Sequence, residues 1–257
     1  MNGIIHPHMD IQVSESAGVR YLHFGSHWIQ GAMRVARPWA LELDYTREMM
    51  AALLLRPDPA WPKSALLIGL GAASLTKFLH RHRPAARLTV VEIEPEVVAV
   101  ARQHFKLPEA DERLRIEIGD GADFVARAAG KFDLILVDGF DDKARTGMLD
   151  TPPFYLNCKA RLSSAGLLVT NLLSKRRGAQ AAIERIAGAF DARALAFPSC
   201  DSGNVVAFAA TGAPVAHSIA ELKAAARRLK EETGLNLLPT LARLEHSRRC
   251  PDGKLRF

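Results

Sequence analysis

The chain has 257 residues, 48% hydrophobic and 24% charged, with a net charge of +6 and a pI near 9.4. That size and apolar share support one full core with a small appendage and exclude a disordered or fibrous chain. Lys and Arg are mixed with Asp and Glu along most of the sequence, so the excess charge reads as a basic soluble surface, and nucleic acid is not expected as a partner.

Residues 1–45 differ in character from the rest. Short β-prone runs at Ile11–Val13, Val19–Phe24 and Trp28–Val35, punctuated by Gly18 and Gly25, predict a small antiparallel sheet of two hairpins. Thr46 to Leu55 reads as a helix with Met49, Met50, Leu53 and Leu54 on one face, closed by Pro57, Pro59 and Pro62. From Lys63 the pattern turns to alternating strands and helices. Strands are predicted at Ala65–Ile68, Leu88–Ile93, Leu114–Ile118, Phe132–Val137 and Gly166–Leu172, with helices at Ala72–His82 and Pro95–Phe105. Apolar strands separated by helices mean a parallel sheet covered on both faces. Ala194–Phe197 and Val205–Ala209 predict a closing antiparallel pair, residues 217–246 a basic helical segment, and the last ten residues a frayed end. The division is therefore 1–45 for the small β-hairpin domain and 46–257 for a doubly wound α/β domain.

Cys158, Cys200 and Cys250 form no C-x-x-C pair, which suits a reducing compartment. The N-terminus lacks the basic-then-apolar pattern of an export signal, and no apolar run reaches the roughly 20 residues needed to cross a bilayer. The expectation is a soluble, cytoplasmic protein with no membrane partner.

Ligands in an open α/β sheet bind beyond the carboxyl ends of the strands, so the residues after each strand carry the information. After the first comes Gly69-Leu70-Gly71-Ala72-Ala73-Ser74, small enough for a ligand to approach the backbone; Ser74 stands where a dinucleotide fingerprint has its third glycine, and the stretch reads equally as a tight strand-to-helix turn. Glu92, 23 residues after Gly69, ends the second strand where a carboxylate can accept from both ribose hydroxyls, with Ile93 beside it and Glu94 turned to solvent. The bland reading of Glu92 is a solvated charge, and a carboxylate there is expected to carry little packing. Gly119-Asp120-Gly121 follows the third strand: Asp120 can accept from an adenine amino group, or serve as an Asx-type helix cap. Asp138 and Asp141 follow the fourth, where two carboxylates can grip a cationic amine and take its proton, or form a capped acidic loop. Together these residues predict an adenosine-bearing cofactor of the S-adenosylmethionine type between Gly69 and Asp138.

In this order the motifs resemble the spermidine synthase family, the polyamine aminopropyltransferases. The resemblance runs over nearly the whole chain, from the hairpins with Gln30 through Gly69–Ser74, Val91-Glu92-Ile93-Glu94, Gly119-Asp120-Gly121 and Asp138–Asp141 to Phe197-Pro198-Ser199. It implies a Rossmann-like sheet of the class I S-adenosylmethionine-dependent methyltransferase type behind a small antiparallel β domain, a homodimer, and no metal. It implies that Gly69, Gly71, Glu92, Ile93, Asp120 and Gly121 bind the cofactor, with Gln30 touching the nucleoside from the N-terminal side. Asp138 would be the proton acceptor and Asp141 an amine anchor, and decarboxylated S-adenosylmethionine would give an aminopropyl group to a small-molecule amine.

The chain also departs from that pattern. Ala72 replaces an Asp that holds the aminopropyl amine, Phe197 replaces a Tyr, Lys143-Ala144-Arg145-Thr146-Gly147 replaces a Gly-Pro segment, and a Tyr-His-Glu stretch becomes Tyr45-Thr46-Arg47-Glu48. Each loss removes a polar contact to an amine, and the two added cations oppose a dicationic substrate. Ala72 also removes the charge that would repel a carboxylated cofactor, so methyl transfer from S-adenosylmethionine stays open as an alternative. A non-catalytic nucleoside-binding protein is a second alternative.

Overall fold

The structure, a computed structural model, describes residues 10–25, 28–140, 145–173, 178–199, 203–247 and 249–257. It opens with β1 Ile11–Ser16, β2 Val19–Phe24 and β3 Ile29–Arg34, paired in that order as two antiparallel hairpins. Ala17 and Gly18 turn the first hairpin with φ of 49° and 72°, the doubly left-handed turn that matches strand twist. The predicted helix at 46–55 is two short ones, α1 Asp44–Met49 and α2 Ala52–Leu55. Every residue from Met49 to Leu55 is buried, so this segment packs on all sides and has no single apolar stripe to keep it continuous.

The central sheet then forms from β4 Ser64–Ile68, α3 Ser74–His82, β5 Arg87–Glu92, α4 Pro95–His104, β6 Leu114–Ile118, α5 Gly121–Arg127, β7 Phe132–Val137, α6 Pro152–Arg161, β8 Leu162–Leu173, α7 Gly178–Ala189, β9 Ala194–Ala196 and β10 Asn204–Ala210. Its spatial order is β6-β5-β4-β7-β8-β10-β9, parallel from β6 to β8, with β10 antiparallel to both neighbours. This is the Rossmann-like, methyltransferase-type sheet expected from the sequence. Alternate residues of β4 and β7 serve two cores: Leu67 and Leu136 point into one, Ile68 and Val137 into the other. The chain enters the sheet at β4, builds outward to β6 and returns to β7, so the order reverses between β4 and β7 and opens a crevice there.

The C-terminal part holds β11 Ala216–Ser218, α8 Ile219–Thr233, α9 Leu238–His246 and β12 Lys254–Arg256. Ser218 and Glu221 form a reciprocal cap at the start of α8, and Gly234 ends it with φ of 77°. α9 is tied to the N-terminal part by an ion pair from Arg243 to the buried Glu48 of α1. The frayed end read from the sequence is corrected here. β12 pairs with β11, the backbones of Val215 and Phe257 exchange both hydrogen bonds (2.9 and 3.1 Å), and Leu255 is fully buried. A three-residue strand with one apolar anchor has too little periodicity to show in the sequence. Among the described residues no helix is long and apolar enough to cross a membrane.

Truncating a fully buried leucine loses transfer energy and leaves a cavity. Leu255→Ala is therefore expected to lower stability by about 2–4 kcal/mol in urea denaturation. A change within about 0.5 kcal/mol, the scale of an exposed substitution, would mean that β12 is not docked.

Candidate active site

The crevice begins at the ends of β4 and β7. Asp138 N donates to Ile68 O and Gly69 N to Val91 O, each at 2.9 Å, so three strand ends are drawn together. Gly69 has a φ of +91°, and a Cβ on it would stand 2.3 Å from the Asp138 carbonyl oxygen, so only glycine fits. The loop continues through Gly71 (φ 50°) and the buried, left-handed Ala73 (φ 55°) into α3. The N-terminal sheet lies against this loop. A Cβ on Gly31 would come 2.5 Å from the Ala72 Cβ, and Ser74 Oγ donates to Ala32 O at 3.2 Å. Ala72, at the position of the missing acid, is buried beneath that contact.

Glu92 is not a solvated strand-end charge. It is buried; Oε2 accepts from Leu70 N at 2.8 Å and Oε1 from Glu94 N at 3.0 Å. Burial pushes its carboxyl above the usual range, against the pull of the amide hydrogen bonds. The expectation that it carries little of the fold is thus overturned: it clamps the glycine loop to the end of β5. Each oxygen has a second acceptor site, so it can still receive ribose hydroxyls. Glu94, expected to face solvent, lines the cavity, as does the exposed Ile93. Asp120 realises the cap reading: Oδ1 accepts from Ala122 N and Asp123 N (2.8 and 2.9 Å) at the start of α5, while Oδ2 has no partner among the described residues. Gly121 is required by packing, since a Cβ there would lie 2.3 Å from Ile68 Cγ2.

Asp138 follows β7. Its Oδ2 accepts from the Tyr45 hydroxyl at 3.1 Å and its Oδ1 from Asn171 Nδ2 at 2.9 Å. Both partners are neutral, and among the described residues no cation pairs with it. Burial raises its carboxyl above the usual aspartate range, only partly offset by the two hydrogen bonds. Asn171, on β8, is buried, and its Oδ1 has no hydrogen-bond partner among the described residues. Sequence reading missed both donors; the signal for Asn171 was a lone amide inside the apolar run Leu167–Leu173. Asp141, the predicted amine anchor, lies outside the described residues, as does Lys143. Phe197 plays no part in the site: its ring packs on Phe208 in the core, centroids 4.4 Å apart.

Gln30, Gly69, Gly71, Glu92, Ile93, Asp120, Gly121 and Asp138 all line one cavity of about 780 Å³, together with Tyr45, Asn171 and the exposed Arg145. Buried carboxylates with raised proton affinity in a cleft are a mark of a binding or reactive site. Among the described residues no group of His, Cys, Asp or Glu is arranged to hold a metal ion.

A family model for the spermine/spermidine synthase domain matches residues 43–183. The polyamine aminopropyltransferase of Chromobacterium violaceum is 37% identical over 96% of this chain and 93% of its own length. Among solved structures, a probable spermidine synthase from Corynebacterium glutamicum superposes with a TM-score of 0.71 at 21% identity, covering 86% of this chain and 83% of that one. Human methyltransferase-like protein 13, in complex with SAH, gives a TM-score of 0.67 at 24% identity over 75% of this chain and 93% of that one. The two structures establish the shared fold.

Two outcomes follow from the buried carboxylates. Glutamine at 92 offers one acceptor oxygen to two amide donors, so Glu92→Gln is expected to cost about 1–3 kcal/mol of stability as well as nucleoside affinity. An unchanged melting temperature would return Glu92 to a purely ligand-facing role. Asp138 has a folded pKa above its unfolded one, so its contribution to stability is present below the ordinary value of 3.8 and is lost as pH rises through the folded value. Asp138→Asn removes that loss. Melting curves of the ligand-free proteins from about pH 4 to pH 8 should show the variant gaining on the wild type as pH rises. A variant that falls behind at high pH would make the ionised Asp138 a structural acceptor.

Proposed function

This chain belongs to the spermine/spermidine synthase family, and we propose that it is a transferase moving an aminopropyl group from decarboxylated S-adenosylmethionine to an amine acceptor. The observation that carries the proposal is the Asp138 carboxylate, with raised proton affinity, held by the Tyr45 hydroxyl and the Asn171 amide at the edge of a nucleoside-sized crevice. The residues present suit the cosubstrate: spare acceptor sites on Glu92 for a ribose, Oδ2 of Asp120 for an adenine amino group, the apolar face of Ile93 for the base, and Gln30 on the hairpin side. When bound, the cosubstrate supplies an electrophilic carbon beside a positively charged sulfur.

The protein's own part is positioning and one proton. An ammonium must lose a proton before its nitrogen can attack. Asp138 accepts that proton, and its two neutral donors fix the carboxylate without a competing counter-charge. Asp141 is proposed to steady the same nitrogen. A second reading, methyl transfer from S-adenosylmethionine, is favoured by one feature: Ala72 leaves the glycine loop without the acid that would repel the cosubstrate's carboxylate.

Mass spectrometry of an amine panel incubated with each cosubstrate decides between the two. An aminopropyl adduct is expected; a methyl adduct alone would establish the second reading, and no adduct with either would overturn both. With a reactive amine in hand, Asp138→Asn is expected to lower turnover by about 10²–10⁴, while methylthioadenosine affinity measured by calorimetry changes little. Near-normal turnover would remove Asp138 from the chemistry.

A further inference from the structure

We infer that Arg185 and Asp150 are positioning residues for the nucleoside: their ion pair, outside the cavity, holds Leu149 in place as the wall of the base pocket. The inference rests on the nucleoside reading of the cavity given above. Thr146, Gly147, Met148 and Leu149 all line the cavity, and the last three belong to a 3-10 turn, Gly147–Asp150. None of the four residues of that turn is buried, so apolar packing alone does not fix it. Its one packed side chain is Leu149, partly buried against the core that contains Ile68 and Val137. Leu149 fits a slot left by two glycines. Its Cδ1 is 2.7 Å from where a Cβ on Gly139 would stand, and its Cδ2 is 3.4 Å from where one on Gly121 would stand. Gly121 directly follows Asp120, the residue proposed to meet the adenine amino group, so Leu149 borders the base.

What holds the turn is polar and lies behind it. The Asp150 carboxylate takes a forked ion pair from Arg185 of α7: Nε donates to Oδ1 at 3.2 Å and Nη2 donates to Oδ2. The fully buried Tyr155 of α6 donates its hydroxyl to the same Oδ1 at 2.9 Å. Burial, reinforced by the Asp150 charge, pushes that hydroxyl well above the usual tyrosine range, so it stays a donor. Thr151 Oγ1 donates to Met148 O at 2.9 Å, and Leu149 N to Thr146 O at 3.0 Å. The Asp150 and Arg185 side chains are only 19% and 30% exposed. A planar fork between them sets direction as well as distance, which a single flexible contact at the surface would not. Asp150, Tyr155 and Arg185 are not among the residues that line the cavity, so any effect on a ligand passes through the neighbouring Leu149. Loss of the guanidinium would leave a half-buried carboxylate without its cation and free the turn to tilt. The slot between Gly121 and Gly139 would then lose its filling, and the base its wall.

The test measures methylthioadenosine affinity of the full chain by calorimetry, at a temperature below the melting point of every variant. Arg185→Met is expected to weaken binding roughly 3–30-fold. Arg185→Lys, which keeps the charge without the fork, should recover part of that loss. Leu149→Ala should weaken binding too, and in that background Arg185→Met should add less than about twofold, because the wall it acts through is gone. If Arg185→Met does not fold, Asp150→Asn, which keeps an acceptor for Tyr155, takes its place in the same cycle. A lower melting temperature with unchanged affinity would make the ion pair a purely structural tie and overturn the inference. Independent, additive losses from positions 149 and 185 would overturn it as well. Wild-type protein that binds no methylthioadenosine would sink the nucleoside reading itself, and the inference with it, before any variant is compared, so the two failures are distinguishable.

Discussion

Gly69 can carry no side chain, because the Asp138 carbonyl stands where a Cβ would go. That one close approach fixes the spacing of the β4 and β7 ends at the place where the sheet reverses its order, and the rest of the site is built out from it. The loop leaving Gly69 must turn at once, which the left-handed conformations at Gly71 and Ala73 provide. The turned loop presents its Leu70 amide to Glu92, which holds it against β5. It also presents the small surface of Ala72 to Gly31, so the hairpin closes over it. A larger residue at either place would lift the N-terminal sheet from the crevice.

The two buried carboxylates are alike in having raised proton affinity and unlike in what holds them. Glu92 is satisfied by backbone amides, whose positions are fixed by the strands and the loop. Its acceptor geometry is therefore part of the fold, and under the proposed function a ribose hydroxyl would meet a preset partner. Asp138 is satisfied by two side chains, from α1 and β8, that approach from separate elements. Its environment is assembled only when the N-terminal helix packs on the sheet. The ion pair between buried Glu48 and Arg243 extends that dependence to α9, because it lies on the same short helix as Tyr45.

What the sequence disclosed and what it hid divide along physical lines. Buried parallel strands announce themselves as apolar runs, so β6 and β7 fall at Leu114–Ile118 and Phe132–Val137 as expected. Strand-end glycines and acids are legible because the chemistry of an α/β crevice forces them to fixed places, and Gly69, Glu92, Asp120 and Asp138 all line the cavity. Hidden were interactions that depend on distant segments meeting. Nothing local in Tyr45 or Asn171 announces a bond to Asp138, 93 and 33 residues away. Nor does Glu92 announce its burial, which comes from the loop 22 residues earlier folding back on it. The missed strand β12 is of the same kind, since its three residues gain order only from β11.

A final consequence concerns the timing of the proton. The proton affinity of Asp138 is set by burial with only neutral partners, so any charge entering the crevice moves it strongly. In the proposed chemistry an ammonium passes its proton to Asp138 before its nitrogen attacks, so the carboxylate must be ionised when the amine arrives and able to hold the proton afterwards. A cationic centre nearby would keep it ionised, and burial would keep its affinity high enough to hold the proton once the ammonium has lost its charge. A lysine or arginine paired with Asp138 would hold its affinity low throughout. The neutral clasp of Tyr45 and Asn171 is therefore as much a part of the proposed chemistry as the carboxylate itself.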